Sequence, residues 1–208
     1  MKIANMYNHL NGHEYMLIHR KNLWSEIIDA ISQIDANKFT KTSNAKATKG
    51  KTLYNQKAIN REFERILFSK DWASVTTSYY VTGDIRTARE IANIREKEEQ
   101  RRIIEERGHT AYRTNNQVDF VKDRVAVEVQ FGKYFSVAYD LHVKHTFFFL
   151  RNDIDVGIEI IPTRNMCVKM DSGVSWFENE VANVIREGRS NPTVPIVMIG
   201  IEPDEILI

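Results

Sequence analysis

This sequence offers little support for a disulfide framework, a secretion signal or a membrane span. The 208 residues include one cysteine, Cys167. No disulfide can therefore form within the chain, and a single thiol fits a reducing compartment. The opening residues MKIANMYNHL contain no apolar core of the signal-peptide type. No apolar run approaches the roughly 20 residues that a membrane helix needs. We therefore expect a cytoplasmic protein with no membrane partner.

The chain also lacks an excess of charge of either sign. Lysine and arginine number 29 against 28 aspartate and glutamate, which gives a net charge of +1. No global basic field therefore indicates a nucleic-acid partner, and any such binding has to come from a local patch. One candidate is the segment 38–51, KFTKTSNAKATKGK, which has five lysines. We expect a mobile basic loop that either binds phosphates or has no part in binding.

Composition and periodicity together predict an α/β fold. Hydrophobic residues make up 42% of the chain and charged residues 27%, as in ordinary globular proteins. The length suits one domain over 1–208, and a helical and loop subdomain within 35–110 is the alternative. Helices are predicted over 23–34, 57–70, 86–108 (one helix or a pair), 134–149 and 175–188, and strands over 73–82, 117–121, 125–131, 154–162 and 193–203. This order predicts a mixed central sheet flanked by helices.

Two of the predicted strands carry acidic residues among apolar ones. In VDFVKDRVAVEVQFGK, 118–133, alternation places the valines of the second strand on one face and Glu128 and Gln130 on the other. Pairing of the strands through the turn at 122–124 would bring Asp119 beside Glu128. Two carboxylates that close repel each other, and burial adds to the cost, so a divalent cation such as Mg²⁺ would stabilise the pair. A half-exposed strand with a wet face would show the same alternation.

The order Asp119, Glu128, Gln130 resembles the PD-(D/E)xK nuclease motif in a Glu-x-Gln form. Val118 replaces the proline of that motif, and Gln130 replaces its usual lysine. The longer string QVDFVKDRVAVEVQFGKYFSVAYDLHVKH resembles the BstYI/BglII branch of the type II restriction endonucleases, and the BstYI type more than BglII. This branch shares the glutamine. The resemblance extends to YNHLNGHEY (7–15), SYYVT (78–82) and VANVIREGR (181–189).

This resemblance implies a restriction-endonuclease-like fold and a homodimer that cleaves double-stranded DNA with Mg²⁺ at a palindromic GATC-centred site. The BstYI type implies the site R^GATCY, a four-base 5′ overhang and a cognate methyltransferase as genetic partner. Asp119 and Glu128 would hold the metal, with the carbonyl of Val129 as a third ligand. Gln130 would orient the attacking water through its amide.

Three residues are candidates for reading bases. Lys133 follows Gln130 closely, and a lysine can donate to the O6 and N7 atoms of guanine. The resemblance places base-reading residues at Lys133 and Ser172, and Asp171 beside the latter could accept from cytosine N4. Asp171 and Ser172 could instead cap the helix that follows, for which Ser175 is the predicted N-cap.

Several other residues and functions stay open at this level. His142 and His145 have a spacing that can bind metal, but no third ligand accompanies them, so we expect surface or interface histidines. Glu26, on the first amphipathic helix, is a further carboxylate that could join the site. Because Gln130 has no charge, a DNA-binding protein without catalysis is one alternative. A structure-selective repair nuclease on the same fold is another.

Overall fold

A computed structural model describes residues 1–207 of the chain. Its central feature is a six-stranded sheet, beside a separate two-stranded hairpin. The strands are β1 (Lys2–His9), β2 (Thr40–Thr42), β3 (Thr52–Tyr54), β4 (Ala73–Val81), β5 (Tyr112–Lys122), β6 (Val125–Val129), β7 (Val156–Pro162) and β8 (Ile196–Glu202). The six-stranded sheet has the order β1-β8-β7-β6-β5-β4, and β2 and β3 form the hairpin. Strands β6, β7 and β8 run parallel to one another, and every other neighbouring pair is antiparallel. The predicted mixed sheet is confirmed.

Helices cover both faces of this sheet. They are α1 (Gly12–His19), α2 (Lys21–Gln33), α3 (Gln56–Phe68), α4 (Ile85–Ile91), α5 (Lys97–Glu106), α6 (Ser136–Tyr139), α7 (Thr146–Leu150), α8 (Arg164–Cys167) and α9 (Phe177–Glu187). A π-helical segment, Asp140–His145, joins α6 to α7. The valines of β6 pack in the largest core cluster with Ile27 of α2 and Phe63 of α3. On the opposite face, Ala126 packs with Phe148 of α7.

The first 20 residues contain structure that periodicity did not predict. Strand β1 lies at an edge of the sheet, and most of its side chains are exposed or half-buried, so it lacks a clear apolar pattern. The segment 38–51 also differs from the predicted loop, because β2 lies within it and pairs with β3, which follows it directly. Residues 40–54 form what we call the basic hairpin. The segment 86–108 is a helix pair, α4 and α5.

The predicted N-cap at Ser175 is wrong. Helix α9 begins at Phe177, and Trp176 is its N-cap residue, without a side-chain capping bond. Ser175 is buried, and its N–H donates to the carbonyl of Gly132 at 3.3 Å. This extended pairing holds the backbone away from helical geometry until after Ser175. Gly188 ends the helix as predicted, with φ 87°.

The parallel strands supply much of the hydrophobic core, and substitution of one buried and one exposed isoleucine tests this assignment. Ile158 of β7 is fully buried in the main cluster, whereas Ile185 of α9 is 59% exposed. Ile158→Ala should lower the free energy of unfolding by about 2–5 kcal/mol, because it removes buried methyl groups and leaves a cavity. Ile185→Ala should change it by less than about 0.5 kcal/mol. Urea denaturation measures both, and equal effects would contradict this core assignment.

Candidate active site

A β-bulge lies at Asp119 in β5. Between Ala73↔Val121 and Val75↔Val118, two residue steps of β4 match three of β5. The extra residue breaks the alternation of faces: Val118 packs with Ala126 on the helix α7 side, whereas Phe120 packs in the main cluster on the other side. Bulges of this kind re-aim side chains and are common next to active sites. The register break therefore lies at the position of the predicted catalytic aspartate.

The pairing of β5 and β6 stops one residue short of that aspartate. It runs from Lys122↔Val125 to Phe120↔Val127, while β6 continues beside β7 to Val129. The Gln130 N–H donates to Ile160 O of β7 at 2.9 Å. Because adjacent residues of a strand direct their backbone groups to opposite sides, the carbonyl of Val129 is directed toward β5. The carbonyl and the two carboxylates thus belong to the notch where these strands part.

Glu128 is a fully buried carboxyl on the floor of this notch. Burial, followed by the nearby charges of Asp119 and Asp140, raises its pKa to about 10. Its Oε2 atom is buried without a hydrogen-bond partner. Asp119 is half-buried. A buried carboxyl of this kind needs either a proton or a cation to compensate its charge.

Asp140 and Lys144, which the sequence pattern does not identify as site residues, lie beside Glu128. Lys144 Nζ lies 3.1 Å from Glu128 Oε1 and 2.8 Å from Asp140 Oδ1. Burial alone would lower the pKa of Lys144, but the two carboxylates outweigh it and raise this pKa. Burial raises the pKa of Asp140, and Lys144 opposes that rise. The four-residue spacing of Asp140 and Lys144 was visible in the sequence, although it indicates only a shared helix face.

The π-helical segment also directs His145 into the protein. His145 Nε2 lies 3.0 Å from Oε1 of Glu159, and both side chains are fully buried. Gly157 leaves room for this ring, because a Cβ there would lie 2.6 Å from Nδ1 of His145. Burial lowers the pKa of His145 to about 3 and raises that of Glu159 well above its usual value, so we assign a neutral pair. The expectation of a surface or interface histidine is wrong for His145.

Gln130 contacts protein atoms through both ends of its amide. Its Nε2 donates to Oδ2 of Asp140, and its Oε1 accepts from the Gly132 N–H at 2.7 Å. A Cβ at position 132 would collide with this amide oxygen, so the glycine permits the compact turn. The side chain of Gln130 is therefore fixed against the same carboxylate that binds Lys144.

The candidate base-reading residues lie on neighbouring segments. Lys133 forms an isolated bridge with Val174, and the Tyr134 N–H donates to Gly173 O at 2.8 Å. Lys133 and Ser172 are both exposed. Asp171 forms an ion pair with Lys41 of the basic hairpin, with 2.6 Å between Nζ and Oδ2. The structure thus brings Lys133 and the 170–176 loop together and connects this loop to the hairpin.

Two other candidates lie in different surroundings. Glu26 accepts from Trp72 Nε1 at 2.8 Å and pairs with Lys122 Nζ at 2.9 Å. His142 is half-buried and lies 3.0 Å from Glu187 Oε2. The structure places neither residue with Asp119 and Glu128.

The donor chemistry of the notch fits a hard divalent cation. Within residues 1–207, no three His, Cys, Asp or Glu side chains form a ready metal-binding group. Two carboxylates and one backbone carbonyl nevertheless suit an ion that keeps several waters. The buried, unpartnered Oε2 of Glu128 supports this fit. Across the same residues, no helix is both long and apolar enough to span a bilayer.

The buried Glu159 predicts a specific pH dependence of stability. Its folded-state pKa is raised, so above the unfolded value of 4.5 only the unfolded chain releases this proton. The contribution of Glu159 is therefore present at low pH and is lost as the pH rises. Glu159→Gln should gain stability relative to the wild type with rising pH, by up to about 1.4 kcal/mol per pH unit.

Urea denaturation from pH 5 to pH 8 measures that slope. The matched control is Glu64→Gln, because Glu64 is an exposed carboxyl on α3. Parallel pH profiles for Glu159→Gln and the wild type would show that Glu159 is ionised in the folded protein.

Comparisons with known proteins agree with this geometry. A family model described as restriction endonuclease BglII/BglIII matches residues 4–201. No curated protein sequence matches the chain. The crystal structure of BglII complexed with a DNA 16-mer superposes with a TM-score of 0.65 at 18% identity, covering 98% of this chain and 79% of that one. Free BglII gives 0.61 at 17% identity, covering 98% and 81%.

The structural matches show the fold, and the family match shows the activity class. The match spans nearly the whole chain, including β5, β6 and the notch between them. This family match favours a restriction endonuclease over the two alternatives, a DNA-binding protein without catalysis and a repair nuclease. Enzymes of this family generally use divalent metal ions. The chain belongs to the BglII family of restriction endonucleases and is a type II site-specific deoxyribonuclease.

Proposed function

We propose that this enzyme is a Mg²⁺-dependent homodimer of the BstYI type that cleaves R^GATCY and leaves a four-base 5′ overhang. The observation that carries the proposal is the notch where β5 and β6 part, with Asp119 and Glu128 on neighbouring strands and Lys133 four residues after Val129. This arrangement joins a cleavage site to a base-reading segment through one short piece of backbone.

Asp119, Glu128 and the carbonyl of Val129 would hold the ion. An ion bound there would supply positive charge at the phosphate and acidify a coordinated water. In the hydrolysis, the water oxygen bonds to phosphorus and the bond to the leaving oxygen breaks. One water proton goes to solvent, and the leaving oxygen takes up a proton. The sequence predicts that Gln130 orients the water; since both ends of its amide contact the protein, we propose instead that it holds Asp140 in place.

Base recognition is assigned to the paired segments that follow β6 and precede α9. Lys133 and Ser172 are exposed, and backbone bonds between 132–134 and 173–175 fix their relative position. Asp171 is the third candidate, and reading a cytosine would require its ion pair with Lys41 to open. A two-fold symmetric dimer would present this set once to each half of a palindrome.

Two cellular expectations follow from the same proposal. A cytoplasmic nuclease with this specificity would cut the DNA of the cell that makes it. A methyltransferase that modifies the same site is therefore the expected genetic partner.

Digestion of a sequenced plasmid with Mg²⁺, followed by sequencing of the fragment ends, tests both the recognition site and the overhang. Ends other than GATC overhangs would overturn the assigned site.

Substitution of the two proposed metal ligands should separate cleavage from DNA binding. Asp119→Asn and Glu128→Ala should each abolish cleavage of a cognate duplex, because each removes a carboxylate from the notch. Affinity for that duplex should stay close to the wild type, since other residues read the bases. Single-turnover cleavage with Mg²⁺ and an equilibrium binding titration measure the two effects.

Glu26→Gln is the control for those variants, because its carboxylate pairs with Lys122 and Trp72. It should cut at a rate close to the wild type. A near-native rate for Asp119→Asn or Glu128→Ala would rule out the assigned metal ligands.

Lys133 is expected to read one guanine. Lys133→Ala should reduce discrimination at a single guanine of the half-site by about 1–3 kcal/mol. Lys49 of the basic hairpin is also exposed, and Lys49→Ala is the control: its change in affinity should be equal for all sequences, as for a phosphate contact. The measurement is affinity for the cognate duplex and each single-base variant at two salt concentrations. Equal losses across the duplexes for Lys133→Ala would move it to the phosphate-contact class.

A further inference from the structure

The site has a lysine, but the lysine comes from a helix. Gln130 occupies the strand position where the nuclease motif usually has lysine, and it has no charge to offer. Its amide nitrogen binds Oδ2 of Asp140, while Lys144 Nζ lies 2.8 Å from Oδ1 of the same carboxylate. The two side chains therefore meet at opposite oxygens of one residue. The ammonium of Lys144 therefore lies close to the position that the end of the Gln130 side chain occupies.

The π-helical segment explains how Lys144 reaches this place together with His145. In an α-helix each residue advances by about 100°, so the side chain five positions after Asp140 would point about 140° away from it. Hydrogen bonds from residue i to i+5 widen the turn and bring position 145 back toward Asp140. Lys144 and His145 can then both face the sheet, one toward Glu128 and the other toward Glu159. Such π segments are frequent at functional sites.

The position of the ammonium suits a role in the reaction. An ammonium has three N–H donors, and the carboxylates of Glu128 and Asp140 engage two of them. The side chain of Lys144 is 19% exposed, whereas those of Glu128 and Asp140 are 1% and 2% exposed. The remaining donor and this exposed part can meet a ligand that enters the notch. Burial of a lysine beside these carboxyls is costly unless its charge is compensated or used.

We propose that Lys144 is the active-site lysine of this enzyme and supplies, from the helix, the positive charge that Gln130 cannot supply from the strand. The inference deepens the proposed function and rests on it. Lys144 would donate its third N–H to an oxygen of the scissile phosphate and would keep all its protons throughout hydrolysis. It would also fix Glu128 through its hydrogen bond and Asp140 through its ion pair.

Relocation of the charge tests the proposal. Lys144→Met should lower the single-turnover cleavage rate with Mg²⁺ by about 10²–10³-fold, as for loss of one preorganised donor. The double variant Lys144→Met with Gln130→Lys returns an ammonium to Asp140 from the strand, and should cut at least about tenfold faster than Lys144→Met alone, a partial recovery of that loss. Its matched control, Lys144→Met with Gln130→Met, should show no recovery. Lys122→Met removes another partly buried, carboxylate-paired lysine and should cut normally.

Two further measurements separate a charge carrier from a structural support. The free energy of unfolding and the metal-free affinity for the cognate duplex are measured for every variant. If Lys144 only supports the fold, cleavage rates will follow stability across the set, and this result would overturn the proposal. If it carries charge, the rate will follow the presence of an ammonium at 144 or 130. The proposal also fails if folded Lys144→Met cuts at a near-native rate, or if relocation gives no recovery.

Wild type and Glu128→Ala are run on the same duplex. Failure of the wild type to cut at the assigned site, or cleavage by Glu128→Ala, would contradict the proposed function itself. Failure of the lysine variants alone would contradict only the role of Lys144.

Discussion

The site depends on the burial of several carboxyl groups at one point of a sheet. Glu128 and Glu159 are neighbours on the parallel strands β6 and β7, and both are fully buried. Asp140 packs above them from the helix side, and Asp119 approaches from β5. Like charges this close cannot all ionise without compensation. The structure avoids this in two ways: a lysine contacts Glu128 and Asp140, and Glu159 stays protonated beside a neutral histidine.

Local departures from regular structure make this arrangement possible. The bulge in β5 lies at the position of Asp119, and the end of the β5–β6 ladder opens the notch beside Glu128. The π segment turns two basic side chains toward the sheet. Gly157 and Gly132 leave room for His145 and for the amide of Gln130. Each departure lies within a few residues of a proposed catalytic group, where strain and irregularity are commonly retained for function.

The notch and the segments proposed for base reading share one continuous backbone. The chain runs from Glu128 through Gln130 to Lys133, which pairs with the loop that carries Ser172. The same loop contacts the basic hairpin, because Tyr54 N donates to Lys169 O at 2.8 Å and Lys41 pairs with Asp171. A shift of the 170–176 loop on DNA would therefore be transmitted to both the hairpin and the site. The residues proposed for recognition and for cleavage are therefore linked through directly bonded segments.

The sequence by itself determined the strands and helices with strong periodicity, since apolar spacing reports which face of an element is buried. It also determined Asp119, Glu128 and Gln130 as candidates, because alternation and the motif depend only on nearby residues. Only the tertiary structure decided the contacts and roles of Lys144, His145 and Glu159. The pairs Lys144–Glu128 and His145–Glu159 join residues 16 and 14 positions apart on different elements, and a π turn and Gly157 bring them together. Edge strand β1 and the ion pair of Asp171 with Lys41 likewise escaped prediction, because both depend on long-range contacts that leave no periodic pattern.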